Sequence, residues 1–214
     1  MKTTLIASFT IVTMFSGVAY AADARIPVPL PTPAVQSGFF FNPYVGADYQ
    51  YSSISYEAIP GTPYSYSDFF ADSFNGGDVH VGARIHRYLG FEVGYFDNAS
   101  SSKSNILGTS VGSSVKFDGW TLDALGYFPL GESDKFELIG LAGVARTTGK
   151  SSLTASSAVE GASSTETESR VGGGAEYWIT SKINVRGMLV YQSADFEGVD
   201  NHIGIARLGV NYQF

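Results

Sequence analysis

Six ionisable residues, Arg84, Glu92, Asp123, Glu176, Arg186 and Arg207, stand among glycines within otherwise apolar stretches. Mixed signs in such a setting suit guanidinium–carboxylate pairing in a medium of low dielectric, where arginine takes a carboxylate with two parallel N–H bonds. A water-soluble fold would leave the same charges solvated. Other motifs suggest chemistry and fail on spacing. Gly149-Lys150-Ser151 needs a glycine at position 144 to cradle a phosphate, and Val144 stands there, leading into a serine-rich stretch with no helix signal. His80 and His86 share a strand face, yet six residues at about 3.3 Å each set them roughly 20 Å apart, too far to share one metal ion. His80 is expected to line an interior and His86 to end a strand. With no cysteine anywhere, disulfides and thiolate metal sites are excluded. No catalytic, cofactor-binding or metal site is expected.

Those charges need elements that turn them all to one side. In Ala206-Arg207-Leu208-Gly209-Val210-Asn211-Tyr212-Gln213-Phe214, apolar and polar residues alternate with the period of a strand. Seven earlier runs read as strands: 44–53, 77–86, 89–96, 114–128, 136–147, 170–179 and 183–192. In most, Arg, Glu, Asp and Gly share one phase while Val, Leu, Tyr and Phe share the other. The phase is less clear in the fourth, where Trp120, Leu122 and Ala124 oppose Thr121 and Asp123. The fifth is apolar on both sides, and its phase stays open. Each run is near the 9–11 residues of a tilted membrane strand.

Connections alternate in length. Segments 54–76, 97–113 and 148–168 are long, whereas Arg87-Tyr88 and the stretches around Gly131 and Ser181 are short. Consecutive hairpins with their long loops at one end make an up-and-down barrel. The second and third loops, rich in Ser, Thr, Gly and Ala, have the composition of flexible surface loops. The first carries Tyr56, Tyr64, Tyr66, Phe69 and Phe70, which read either as a binding surface or as an interfacial girdle on extended strands.

Residues 1–21 have a positive start, a short apolar run and Ala19-Tyr20-Ala21, the pattern of a cleaved secretory signal. Residues 22–41 hold Pro27, Pro29, Pro31 and Pro33, which favour a polyproline II leader, here a periplasmic spacer. The barrel domain is expected over 42–214. A net charge of −7 makes a poor nucleic-acid binder. No stretch is apolar enough for a spanning helix.

The terminal Tyr212-Gln213-Phe214 on an alternating strand resembles the final strand of bacterial outer-membrane barrels. The resemblance implies that Leu208, Val210, Tyr212 and Phe214 form the signal read by the barrel-assembly machinery. Gly172-Gly173-Gly174-Ala175-Glu176-Tyr177 with Asn184-Val185-Arg186-Gly187-Met188-Leu189-Val190-Tyr191 resembles the penultimate hairpin of OmpA-like and OmpX-like barrels, and Leu89-Gly90-Phe91-Glu92-Val93-Gly94-Tyr95 their third strand. The alternating prolines after Ala21-Ala22-Asp23 are similar to the leader of alphaproteobacterial surface antigens of the porin family. The fold expected is all-β, an eight-stranded antiparallel up-and-down transmembrane β-barrel in the outer membrane of a Gram-negative cell, with apolar side chains toward lipid. The implied partners are outer-membrane lipid and lipopolysaccharide, the assembly machinery, and a host or surface ligand if the loops bind one. No peptidoglycan-binding domain is expected after Phe214, so the anchoring role of full OmpA proteins is not implied through such a domain. One lipid-deacylating barrel family uses a late His-x-Ser, and here His202-Ile203-Gly204 lacks the serine. Three roles remain open: a non-enzymatic envelope antigen, an adhesin or ligand binder, and a small pore.

Overall fold

Alternating side chains fix the strands, and closure of the sheet fixes what they enclose. The computed structural model describes residues 38–56, 59, 61–104, 106, 109, 111–131, 135–155, 158–196 and 199–214. The expected signal and most of the proline leader lie outside the described residues. Nine strand segments follow in order: β1 (Asn42–Ser55), β2 (Ser73–His86), β3 (Leu89–Asn98), β4 (Ser101–Lys103), β5 (Val111–Leu130), β6 (Phe136–Ala155), β7 (Ala158–Trp178), β8 (Ile183–Phe196) and β9 (Val199–Gln213). Neighbours pair antiparallel around the ring. The short β4 pairs with β5 above the point where β3 does, so β3 and β4 together occupy one wall position. The wall therefore has eight strands.

Closure comes from β1 and β9, in register from Tyr44↔Gln213 to Ser55↔His202. No edge is left through the body of the barrel, because the ladders close on themselves. Even Phe214 takes part, its amide donating to the Pro43 carbonyl at 3.1 Å. At the other end of the chain, the Phe40 amide donates to the Ile85 carbonyl before β1 begins.

The outward face is apolar. Val45, Tyr49, Val79, Val81, Leu89, Phe91, Trp120, Leu122, Leu138, Val171, Leu189, Leu208 and Val210 are all exposed on the barrel wall. Such a continuous belt has no place in water. In the fifth run, whose phase the sequence leaves open, Glu137, Ile139, Leu141, Ala145 and Thr147 point inward and Leu138 and Val144 outward. Both faces are apolar there because the lumen carries apolar as well as ionic side chains.

The strands run longer than their periodicity suggests. β5, β6 and β7 span 20, 20 and 21 residues. Segment 148–168, expected as a flexible loop, is instead mostly the upper half of the β6–β7 hairpin, in register as far as Ala155↔Ala158. Much of 97–113 is likewise taken up by the end of β3, by β4 and by the start of β5. Once the lower ladder has aligned two strands, each further rung fixes little additional chain. Threonine pairs such as Thr148–Thr165, with hydroxyl oxygens 3.0 Å apart, support it from the side chains.

Candidate functional site

All six charges singled out from the sequence point into the lumen. The strands that carry them are far apart in the chain, and only ring closure brings them together. Arg186 on β8 is the hub. Its Nε donates to Asp48 Oδ1 at 3.2 Å and one terminal nitrogen to Asp48 Oδ2 at 2.8 Å. On its other side it donates to Glu92 Oε2 at 2.6 Å and Oε1 at 3.0 Å. Arg207 lies 2.7 Å from Asp48 Oδ2 and also bonds Asp78. His80 completes the layer, with Nδ1 2.9 Å from Asp78 Oδ1 and Nε2 2.7 Å from Asn211 Oδ1. Asp123 is held less tightly, its carboxylate 3.3 Å from Arg170 Nε.

Nearer the short turns a second group forms around Arg84. It bonds both Glu137 and Glu176, and its guanidinium stacks 3.8 Å from the Tyr127 ring centre. The Trp178 indole donates to Glu137 Oε2 at 3.1 Å. Tyr44 joins the two layers by donating to Glu92 Oε2 at 3.0 Å. The sequence reading omitted Asp48, Asp78, Glu137 and Arg170 from this network. Asp48, in the polar phase of the first run, and Arg170, in that of the sixth, were visible signals. Glu137 lay in the run of open phase.

Asp48, Asp78 and His80 bring three ligand-type atoms within 4.8 Å of one another. The arginines already donate to their carboxylate oxygens, so a cation placed there would have to displace Arg186 and Arg207. His202 offers no better catalytic case. Its ring stacks on Tyr191 at 5.2 Å, and although Ser193 is its cross-strand partner, the Ser193 hydroxyl contacts that of Ser169 at 3.0 Å.

Toward the long loops the lumen turns apolar. Ile54, Phe74, Phe96, Val115, Phe117, Ile203 and Ile205 are buried together, with Phe74 and Phe117 edge to face at 5.1 Å. A cavity of about 10 Å³ remains among Gln50, Phe74, Asn98 and Thr147, room for roughly one water. The first loop covers this layer. Tyr56, Phe70 and Ala71 pack against it, and the Tyr56 hydroxyl donates to the Ala71 carbonyl at 3.1 Å. Burial, with Asp72 adding to it, pushes that hydroxyl up to about 12. A single 3-10 turn, Tyr66–Asp68, is capped by Ser65, while Lys103 and Ser113 donate to the Ser67 and Phe69 carbonyls. Of the five loop aromatics, Tyr64 is exposed and the other four are half-buried.

Leu208, Val210, Tyr212 and Phe214 all face outward, with Tyr212 and Phe214 edge to face at 5.4 Å. Apolar outside, ionic inside and closed on itself, the molecule is of the class of membrane-spanning β-barrels. Residues 12–214 match the outer membrane protein β-barrel domain family, and the chain belongs to it. It is therefore an outer-membrane protein.

Solved structures agree on the fold. Ail, the attachment invasion locus protein of Yersinia pestis, crystallised with the heparin analogue sucrose octasulfate, is 14% identical, with a TM-score of 0.56 over 83% of this chain and 100% of that one. Neisserial surface protein A is 18% identical, with a TM-score of 0.54 over 80% and 97%. OprG of Pseudomonas aeruginosa is 14% identical, with a TM-score of 0.50 over 84% and 99%. No curated protein matches the sequence.

Proposed function

We propose that this protein is a sealed, non-enzymatic barrel that contributes to envelope structure and displays its outer strands as a surface antigen. One observation carries the reading: among the described residues, packed side chains cross the lumen in three layers. The Arg84 group, the Arg186–Arg207 layer and the apolar layer under the first loop are stacked one above another. Small barrels leave side chains no room for a water column. The contacts of His80 are Arg, Asp, Glu and Asn groups and not a hydroxyl nucleophile, which supports a non-enzymatic role. Export through a cleaved 1–21 signal and insertion by the assembly machinery through the Tyr212–Phe214 end belong to the same proposal.

The test is a deletion strain compared with its complemented form for detergent sensitivity, alongside single-channel recording of purified protein in planar bilayers. Increased sensitivity and no steady current are expected. Sustained currents from the folded protein would refute the sealed lumen.

A second reading, ligand or host binding by the outer part, has its own support. β7 pairs with β8 only from Arg170 to Trp178, so among the described residues its upper stretch has β6 on one side and no strand on the other. An open sheet edge can accept an added strand from a partner. Loss of cell or ligand binding on shortening the β6–β7 hairpin, with the barrel intact, would favour it.

A further inference from the structure

Buried charge in the barrel is unevenly matched. Seven carboxylates are buried among the described residues. Six lie against a guanidinium: Asp48 and Glu92 against Arg186, Asp78 against Arg207, Asp123 against Arg170, and Glu137 and Glu176 against Arg84. Glu168 on β7 is the seventh, and among the described residues it meets no cation. Arg170, two positions on, is turned to Asp123 at 3.3 Å. Glu168 Oε2 accepts from the Thr147 hydroxyl at 3.1 Å and from the Gln192 amide, both neutral donors. A buried carboxylate with no opposing charge is costly, and neutral donors offset only part of that cost.

Acceptors are also left over. Glu168 Oε1 and Gln192 Oε1 are both buried and take no hydrogen bond, although their two groups already touch across the β7–β8 pair. Gln192 is only 1% exposed, so water from outside does not reach its oxygen. A second carboxylate stands close by. Glu166 lies two residues up β7 on the same inward face, roughly 7 Å along the strand, and its charge acts on Glu168. It is half-buried, takes a hydrogen bond from the Ser164 hydroxyl at 3.1 Å, and makes no ion pair among the described residues. One proton would answer one of these two charges. A divalent cation answers both.

An ion can reach this place without crossing the packed layers below. Arg170↔Gln192 is the uppermost rung between β7 and β8, and Glu168 and Glu166 lie just beyond it, where the two strands part. The donors on offer are oxygens only, from carboxylate and amide groups on two strands, open on one side. Calcium suits such a set, because it takes about six to eight oxygens in flexible geometry and completes its shell with water.

We propose that Glu168 Oε1, Gln192 Oε1 and the Glu166 carboxylate form a calcium site at the outer end of the lumen. Bound calcium ties β7 to β8 just above their last shared rung, where the wall has no ladder of its own. The site is independent of the structural role proposed above.

The test uses full-length protein in phosphatidylcholine nanodiscs and choline chloride buffer, dialysed to equilibrium against radioactive calcium chloride, with empty nanodiscs as the blank. The wild type should hold a single calcium per barrel, half-saturated between about 0.1 and 1 mM, the range of extracellular calcium modules. Glu168→Gln, which keeps the shape and removes the charge, should weaken binding at least about tenfold, since ligand charge sets affinity. Asp97→Asn, on the outer wall, should leave binding unchanged. Calcium should also raise the urea midpoint of the wild type and not that of Glu168→Gln. No calcium above the blank overturns the proposal, and is the result expected if a proton alone neutralises Glu168. Undiminished binding by Glu168→Gln overturns it as well. Should Glu168→Gln fail to insert, Glu166→Gln, at a half-buried position, gives the same comparison. Neither readout is conductance or detergent sensitivity, so failure here leaves the sealed-barrel reading standing.

Discussion

Replacing Arg186 by methionine separates a dry, ion-paired lumen from a wet one. Arg186 is about as buried as any side chain in the barrel, and it spends four hydrogen bonds on two carboxylates, Asp48 and Glu92. Methionine roughly matches its length without the charge. The loss leaves Asp48 with Arg207 at 2.7 Å and His80 at 3.9 Å, and leaves Glu92 with the Tyr44 hydroxyl, with His80 at 3.7 Å and with Arg207 at 3.8 Å. Removing one partner of a buried pair costs about 3–5 kcal/mol, because the remaining charge is uncompensated. Glu92 loses its hydrogen-bonded guanidinium and Asp48 keeps one of its two, so a cost within that range is expected. In a water-filled lumen the same change would cost at most about 1 kcal/mol, as for exposed pairs. Urea unfolding in lipid vesicles, followed by tryptophan fluorescence and by heat-modifiable gel migration, measures the difference. A second substitution fixes the cause. Adding Glu92→Gln to Arg186→Met removes one orphaned charge and should recover about half the loss. A cost below about 1 kcal/mol for Arg186→Met, or a further loss on adding Glu92→Gln, would refute the buried-network account.

Glycine positions give a second check. A methyl group at Gly174 would sit 2.0 Å from the Gly187 carbonyl oxygen, while one at Gly187 meets nothing within 4 Å. Gly174→Ala should cost about 1–3 kcal/mol and Gly187→Ala close to nothing in the same unfolding assay. Phe74→Ala, in the apolar layer, should cost about 3–5 kcal/mol and still yield no steady conductance, since the ionic layers beneath it remain. Phe214→Ser should leave refolding into detergent nearly unchanged, because the ladder to Pro43 uses the backbone, yet lower the amount reaching the outer membrane in cells. Equal outer-membrane levels of Phe214→Ser and wild type would argue against the terminal signal.

Much of the fold was legible because a strand exposes alternate residues to opposite media, so the sequence must alternate wherever the media differ. That accounts for the wall, its outward belt and the inward direction of Arg84, Glu92, Asp123, Glu176, Arg186 and Arg207. The rule loses force where the media do not differ. Low in the lumen, above the Arg84 group, Ile139 and Leu141 face in while Leu138 faces out, and the fifth run showed no phase. Toward its tip the β6–β7 hairpin is exposed on both faces, so 148–168 read as loop although its described residues are mostly strand.

The amino-acid sequence alone determined the class of the molecule: strands of membrane length, a greasy face, a polar face and no cysteine chemistry. Only the tertiary structure decided which charges meet. Arg186 is separated from Asp48 by 138 positions and from Glu92 by 94. No local pattern encodes those pairings, because they follow from the register in which β9 closes on β1 and from the width of the ring. The same closure placed Tyr56 and Phe70 of the first loop over the lumen, since the neighbours of a side chain across a barrel are set by how the sheet meets itself.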